Sequence, residues 1–215
     1  NKIEYLSMSY LLNIGKNYIH FDSSGTSLTI NDFTLNPYFY YSKDKYAKIL
    51  FSIYKPDFFA QDLFNSLPKG SFNTLAGINT SGKLSYNFKF SMDTRKPDSL
   101  QLLSKLKKHN FQIKTFGNVD YSLINRPFTY KRTVNKSRVK TILTGSRNNK
   151  FVPFHRIPKH LLYAVLTSED CSFFSHRGFD LESFKVSILK NLKQRRFSRG
   201  GSTITMQLVK NLFLT

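Results

Sequence analysis

Apolar and polar positions alternate with two different periods along this chain, close to two before about residue 130 and close to a helical repeat after residue 150. The clearest strand signal is Lys83–Met92, where Leu84, Tyr86, Phe88, Phe90 and Met92 alternate with Lys83, Ser85, Asn87, Lys89 and Ser91. One face of that strand is apolar and aromatic, the other polar. Ser27–Leu35, with Leu28, Ile30 and Phe33, and Asn110–Phe116, with Phe111 and Ile113, carry weaker strand patterns. Ser23-Ser24-Gly25, Asn79-Thr80-Ser81-Gly82 and Phe116-Gly117-Asn118 read as turns between them. Residues 1–130 are therefore expected to form a mostly antiparallel sheet with one wet face. Two short helical pieces are expected to interrupt it, Lys43–Ser52 and Asp57–Leu67, the second with Phe59, Leu63 and Leu67 at helical spacing.

From Ile157 onward the helical period dominates. Pro158 suits a first helical turn, and Leu161, Leu162, Val165 and Leu166 form an apolar stripe behind it. A second helix is predicted from about Leu181 to Lys193, with Leu181, Phe184, Ile188 and Leu192 inward and Glu182, Lys185, Lys190 and Lys193 outward. A third starts near Ser202, an N-cap type behind Gly200-Gly201, and runs to the chain end. Residues 131–150 show no periodicity until Thr141-Ile142-Leu143 and read as a basic linker. The fold class is α+β: a β-rich region over 1–130, the linker over 131–150, and a helical part over 151–215.

Composition adds constraints. Twelve Tyr and 21 Phe in 215 residues support a packed interior and argue against disorder. The formal charge of +20 demands an anionic partner: nucleic acid, phospholipid headgroups or a phosphorylated substrate. Residues 131–150 hold seven basic residues and no acidic one. A nucleic-acid module would interleave such a run with stacking aromatics, but none occurs there before Phe151, and the strand aromatics alternate inward as a core requires. A lipid-binding β module is the other non-catalytic alternative. The single cysteine, Cys171, allows no internal disulfide and leaves the redox compartment unread. No apolar run approaches the roughly 18–20 residues that span a bilayer, and the chain opens at Asn1 without a signal-like segment. A membrane anchor is therefore expected upstream, outside this chain.

Chemistry concentrates near residue 169. The stripe Leu162, Val165, Leu166 projects onto Glu169 by three, four and seven residues, which would bury a carboxylate and favour its use as a general base. From periodicity alone, the alternative is a helix ending at Ser168 with Glu169-Asp170 as a solvated turn. The wider string is more specific: Glu169-Asp170-Cys171-Ser172-Phe173-Phe174-Ser175-His176-Arg177-Gly178, followed by Gly200-Gly201-Ser202-Thr203-Ile204-Thr205-Met206-Gln207-Leu208-Val209-Lys210-Asn211. Thr203, Gln207 and Lys210 share one polar face of the third helix, and its N-terminus behind the glycine pair would offer N–H groups to an anion.

These two strings resemble glycosyltransferase family 51, the transglycosylase domain of class A penicillin-binding proteins and monofunctional peptidoglycan polymerases. Glu169, Asp170, Phe173, His176 and Gly178 match the family's Glu-Asp-x-x-Phe-x-x-His-x-Gly motif. The second string matches its Gly-Gly-Ser-Thr-Ile-Thr-Gln-Gln-Leu motif, with Lys-Asn two residues on, except at Met206. Cys171 stands where the family usually has Arg. The resemblance covers about Phe151 to Thr215 and implies an all-helical, lysozyme-like domain, here incomplete, that polymerises lipid II into glycan strands by inverting transfer from a lipid-pyrophosphate donor to a sugar 4-hydroxyl. It implies Glu169 as the general base, and Asp170, Phe173, His176, Gly200, Gly201, Ser202, Thr203, Thr205, Gln207 and Lys210 as substrate-binding residues, Lys210 on the donor phosphates. On the residues alone, without the motif, Phe173 reads as core and His176 as a satisfied helix-end histidine.

Implied partners are lipid II, the growing lipid-linked glycan, the inner-membrane surface on its periplasmic face and other cell-wall synthesis proteins; nucleic acid is not among them. The family commonly uses a divalent cation, magnesium or manganese, with its pyrophosphate substrate, but no metal-ligand set is read in this sequence. The basic run Lys193–Arg199 with Phe197 suits an anionic membrane surface, and the matching region of the family dips into the bilayer. Family members continue into an Arg-Lys-x-x-Glu motif, which would follow Thr215, so these 215 residues alone are not expected to polymerise glycan. In the N-terminal part, Lys83–Met92 and Phe72–Gly77 faintly resemble the AsmA-like β modules of envelope proteins.

Overall fold

A computed structural model describes residues 5–68, 70, 72–135 and 138–214. The chain forms two compact units that do not follow chain order: one comprises Asn1–Asn118 with Asp180–Ser202, the other Val119–Phe179 with Thr203–Thr215.

The first unit is built on a seven-stranded antiparallel sheet. Strands β1 (Leu6–Gly15), β2 (Tyr18–Ile30), β4 (Pro37–Lys43), β5 (Ala47–Phe59), β6 (Ile78–Asp93) and β7 (Gln101–Phe116) lie side by side in chain order, while the short β3 (Phe33–Leu35) pairs with β2. Register explains why the alternation matters. Leu12 lies opposite Phe21, Phe21 opposite Phe39, Phe39 opposite Phe51, Phe51 opposite Phe90 and Phe90 opposite Leu102, an apolar row across six strands. Directly opposed side chains share a face, so a slip of one residue in any strand would carry its contribution to the polar side. Lys83–Met92 lies inside β6 and Asn110–Phe116 inside β7, as expected.

Four expectations are corrected. Lys43–Ser52 is not helical; it is the β4–β5 turn and the start of β5, whose Ile49 and Phe51 fall into the apolar rows. Of Asp57–Leu67 only Ala60–Asn65 is helical, α1, because Asp57–Phe59 still belong to β5. Ser23–Gly25 and Asn79–Gly82 do not end strands. Both lie where the pairing slips, inside β2 and β6, and Gly82 takes φ +83° where a Cβ would come within 2.2 Å of the Asn110 carbonyl oxygen. Polar and glycine residues that look like turns here make bulges instead. The fourth concerns 131–150, where β8 (Thr129–Asn135) and β9 (Arg138–Leu143) pair as a hairpin in the second unit; Lys136 and Ser137 of the expected linker lie outside the described residues.

The core of the first unit gathers Phe33, Phe58 and Leu84 with Ala60, the first residue of α1, and Phe33 and Phe58 lie edge to face at 5.1 Å. Gln61 of α1 repairs the neighbouring irregularity of β6: its side chain donates to the Ile78 carbonyl and accepts from the Thr80 N–H at 2.8 Å. The same unit contains α3 (Leu181–Gln194), capped by Asp180, whose carboxylate accepts from the Ser183 N–H at 3.0 Å. Lys193 near the end of α3 pairs with Asp98 at 2.8 Å. In the second unit, α2 spans Lys159–Glu169 and α4 spans Ile204–Phe213. Among the described residues no helix is long and apolar enough to cross a membrane.

Candidate active site

The site is assembled where the end of α2 meets the start of α4, both in the second unit. Glu169 is the last residue of α2, and Asp170 is its C-cap, with its N–H still bonded to the Leu166 carbonyl at 2.8 Å. The chain then turns through Phe173 and His176 to Gly178, which adopts φ +101°, a conformation that favours glycine. A Cβ there would touch the Thr205 methyl carbon at 3.5 Å.

Asp170 is the node of this arrangement. Its side chain is only 2% exposed; one oxygen accepts from His176 Nε2 at 2.9 Å and the other from the backbone N–H of Ile204 at 2.9 Å. His176 is fixed from its other side, because Nδ1 accepts from the Gly178 N–H at 3.1 Å. That acceptor role assigns the ring proton to Nε2, which donates to Asp170. Thr203 completes the connection: its hydroxyl donates to the Gly178 carbonyl at 2.6 Å and caps α4 by accepting from the Met206 N–H at 3.1 Å.

Glu169 departs from expectation in one respect. Its carboxylate is exposed, not buried, and α2 has no buried residue: Leu162 and Leu166 are half-buried, whereas Leu161 and Val165 face solvent. Glu169 follows Val165 by one turn and shares its exposed side, so the desolvation argument has no basis here. What positions the group is Gln207, whose Nε2 donates to Glu169 Oε2 at 3.3 Å. The helix thus includes Glu169, and the carboxylate faces the polar side of α4.

The remaining anticipated residues divide. Gln207 is half-buried and Lys210, three residues on, is exposed on the same helix; Thr205 is exposed in its first turn. Thr203 is 2% exposed, is the N-cap in place of Ser202, and has its hydroxyl engaged twice. The N-terminus of α4 is partly occupied from within the chain. The Ile204 N–H is taken by the Asp170 carboxylate, Met206 by the Thr203 hydroxyl and Gln207 by the Thr203 carbonyl. The positive end of the helix already faces a carboxylate of the chain itself. Phe173 is half-buried, its ring edge-to-face with Phe174 at 5.2 Å.

Gly200, Gly201 and Ser202 belong to the first unit. A Cβ on Gly201 would press on the Phe184 Cα at 3.0 Å, so the second glycine permits close packing on α3, whereas one on Gly200 would meet open space. Two residues with no motif to mark them hold the segment before α4. Ser187, buried in α3, donates to the Gly200 carbonyl at 2.8 Å. Asn191 holds the next loop through the Ser198 and Arg199 N–H groups, at 2.8 and 3.0 Å, and the Arg199 carbonyl, at 2.9 Å. An Asn in the last turn of a helix was the one available signal. The donor set for a divalent cation is not found: among the described residues no three His, Cys, Asp or Glu side chains converge.

The comparisons agree with the motifs. Residues 135–215 match the family model described as Transglycosylase. A biosynthetic peptidoglycan transglycosylase of Dechloromonas aromatica (strain RCB) is 50% identical over 66 residues, 31% of this chain and 29% of that protein. One from Laribacter hongkongensis (strain HLHK9) is 36% identical over 107 residues, 49% of this chain and 47% of that protein. Penicillin-binding protein 4 of Bacillus subtilis (strain 168) is 38% identical over 96 residues, 45% of this chain but 15% of that protein. The resemblance read from the two motifs is thereby borne out for the C-terminal part, and the chain spans less than half the length of each of these relatives. No solved structure matches the chain.

Proposed function

We propose that this chain carries the front part of a peptidoglycan glycosyltransferase that polymerises lipid II, with Glu169 as the general base. The observation that carries this reading is the contact of Glu169 with Gln207 at 3.3 Å, which joins the ends of two motifs 38 residues apart on one open surface. An exposed carboxylate can reach a substrate hydroxyl, whereas the buried Asp170 beside it cannot.

In this mechanism the 4-hydroxyl of the incoming lipid-linked disaccharide gives its proton to Glu169 as its oxygen attacks the anomeric carbon of the donor. The bond from that carbon to the phosphate oxygen breaks, the electron pair leaves with the lipid pyrophosphate, and the anomeric configuration inverts. Gln207 orients the Glu169 carboxylate through the N–H it donates. With the Ile204 and Met206 N–H groups engaged, the Lys210 ammonium is the charged group that α4 offers to the pyrophosphate oxygens. The all-helical, lysozyme-like domain architecture belongs to this proposal, as do the growing glycan and other cell-wall proteins as partners.

The setting proposed is the periplasmic face of the inner membrane. Support comes from the loop after α3, where Phe197 is 84% exposed among Arg195, Arg196 and Arg199. An apolar anchor ringed by cations suits anionic headgroups. The test is to supply the full-length protein with labelled lipid-linked disaccharide in detergent or vesicles. Glycan strands still attached to lipid pyrophosphate are expected; a protein that consumes no disaccharide would refute the assignment.

A further inference from the structure

We infer that Asp170 is a positioning residue rather than a substrate ligand: it locks the end of α2 to the first turn of α4, and so holds the Glu169 carboxylate against Gln207. The inference rests on the reading of Glu169 as the base. It follows from a count of donors and acceptors around one buried side chain.

Two N–H groups converge on Asp170, from His176 Nε2 and from the Ile204 backbone, both at 2.9 Å, and each meets a different carboxylate oxygen. With 2% of the side chain exposed, its remaining lone pairs are closed to a ligand. His176 cannot relieve a change at Asp170 by moving its proton, because Nδ1 must stay an acceptor for the Gly178 N–H. Asn at position 170 would offer one oxygen and one NH2 to two donors, leaving one buried donor opposed by another. Thr203 reinforces the same junction from the other side, through its bonds to Gly178 and Met206. Asp170 and Glu169 are adjacent, so any shift of the junction moves the base directly. A displacement of about 1 Å at a reacting group can cost on the order of 10²-fold in rate.

The test compares full-length wild type, Asp170→Asn, Thr203→Val, Thr203→Ser and the double variant Asp170→Asn/Thr203→Val, with Glu169→Gln as reference. Turnover, KM for labelled lipid-linked disaccharide and thermal midpoint are measured for each. Asp170→Asn is expected to lower kcat by on the order of 10- to 100-fold with KM within about twofold. Thr203→Val should do the same and Thr203→Ser, which keeps the hydroxyl, should return to near wild type. The double variant should be little worse than the poorer single one, because both act through one junction. Should Asp170→Asn fail to fold, the Thr203 pair carries the same comparison.

A raised KM with kcat retained would make Asp170 a substrate contact and overturn the inference. So would a lowered thermal midpoint with both kinetic constants unchanged. If Glu169→Gln is inactive and Asp170→Asn is not, the positioning role alone falls. If wild type polymerises nothing, or Glu169→Gln retains full turnover, the functional reading falls and takes this role with it.

Discussion

Asn191→Ala should loosen the loop that presents Phe197 without altering charge. The Asn191 side chain makes four polar contacts with this loop: its oxygen accepts from the Ser198 N–H, the Ser198 hydroxyl and the Arg199 N–H, and its amide donates to the Arg199 carbonyl. A net hydrogen bond contributes about 0.5–1.5 kcal/mol, less when one acceptor serves several donors, so about 2 kcal/mol of local order is at stake. At about 1.4 kcal/mol per factor of ten, the Ser198 and Arg199 amides should exchange with solvent about 30-fold faster. Hydrogen exchange resolved by residue reads this directly, with the interior amides of α3, such as that of Ile188, as the internal control. Because the substitution is neutral, any accompanying loss of binding to anionic vesicles would report loop order and not electrostatics. Unchanged exchange at Ser198 and Arg199, or equal acceleration along all of α3, would refute the assignment of Asn191 as the local tether.

Other substitutions test the sheet. Gly82→Ala should destabilise the protein by at least about 2 kcal/mol in urea unfolding, since the new Cβ would meet the Asn110 carbonyl at a positive φ; wild-type stability would contradict the bulge geometry. Ala60→Leu should cost about 1–3 kcal/mol by overpacking, because Ala60 is fully buried among Phe33, Phe58 and Leu84; a stabilised variant would show a cavity that the packing denies. The Arg95 guanidinium beside Asp93 holds that carboxyl down to about 2, so its contribution to stability is complete above the ordinary carboxylate value and is lost as pH falls through about 2. An NMR titration of Asp93 should show that midpoint, and Arg95→Ala should return it toward the ordinary value.

Alternation was legible in β6, where Leu84, Tyr86, Phe88, Phe90 and Met92 contribute to the apolar face, and was not read in β1 or β4, which contribute Leu12 and Phe39 to the same row. It misled at Lys43–Ser52 because a turn followed by Ile49, Leu50 and Phe51 satisfies helical and strand templates alike over a short window. Ser23–Gly25 and Asn79–Gly82 have turn chemistry, and only cross-strand pairing makes them bulges. In the site, the placing of Glu169 at the end of α2, facing Gln207, was legible from two local strings, while the cap of α4 falls on Thr203, one residue beyond the expected Ser202. The role of Asp170 was not, because its second donor, the Ile204 N–H, lies 34 residues away and belongs to the backbone, which no side-chain pattern records. The same long-range bond explains why the N-terminus of α4, which looked ready for an anion, already has one. Burial of Glu169 was inferred from a stripe whose outer half, Leu161 and Val165, faces solvent.

The central claim is that Glu169 removes the proton from the attacking hydroxyl. Full-length wild type and Glu169→Gln should be compared for turnover of labelled lipid-linked disaccharide, with substrate binding measured separately. Glutamine keeps the shape and the contact with Gln207 but cannot take up the proton, so turnover should fall by on the order of 10²–10⁴ while binding stays near wild type. A Glu169→Gln enzyme that polymerises at close to the wild-type rate would contradict the account.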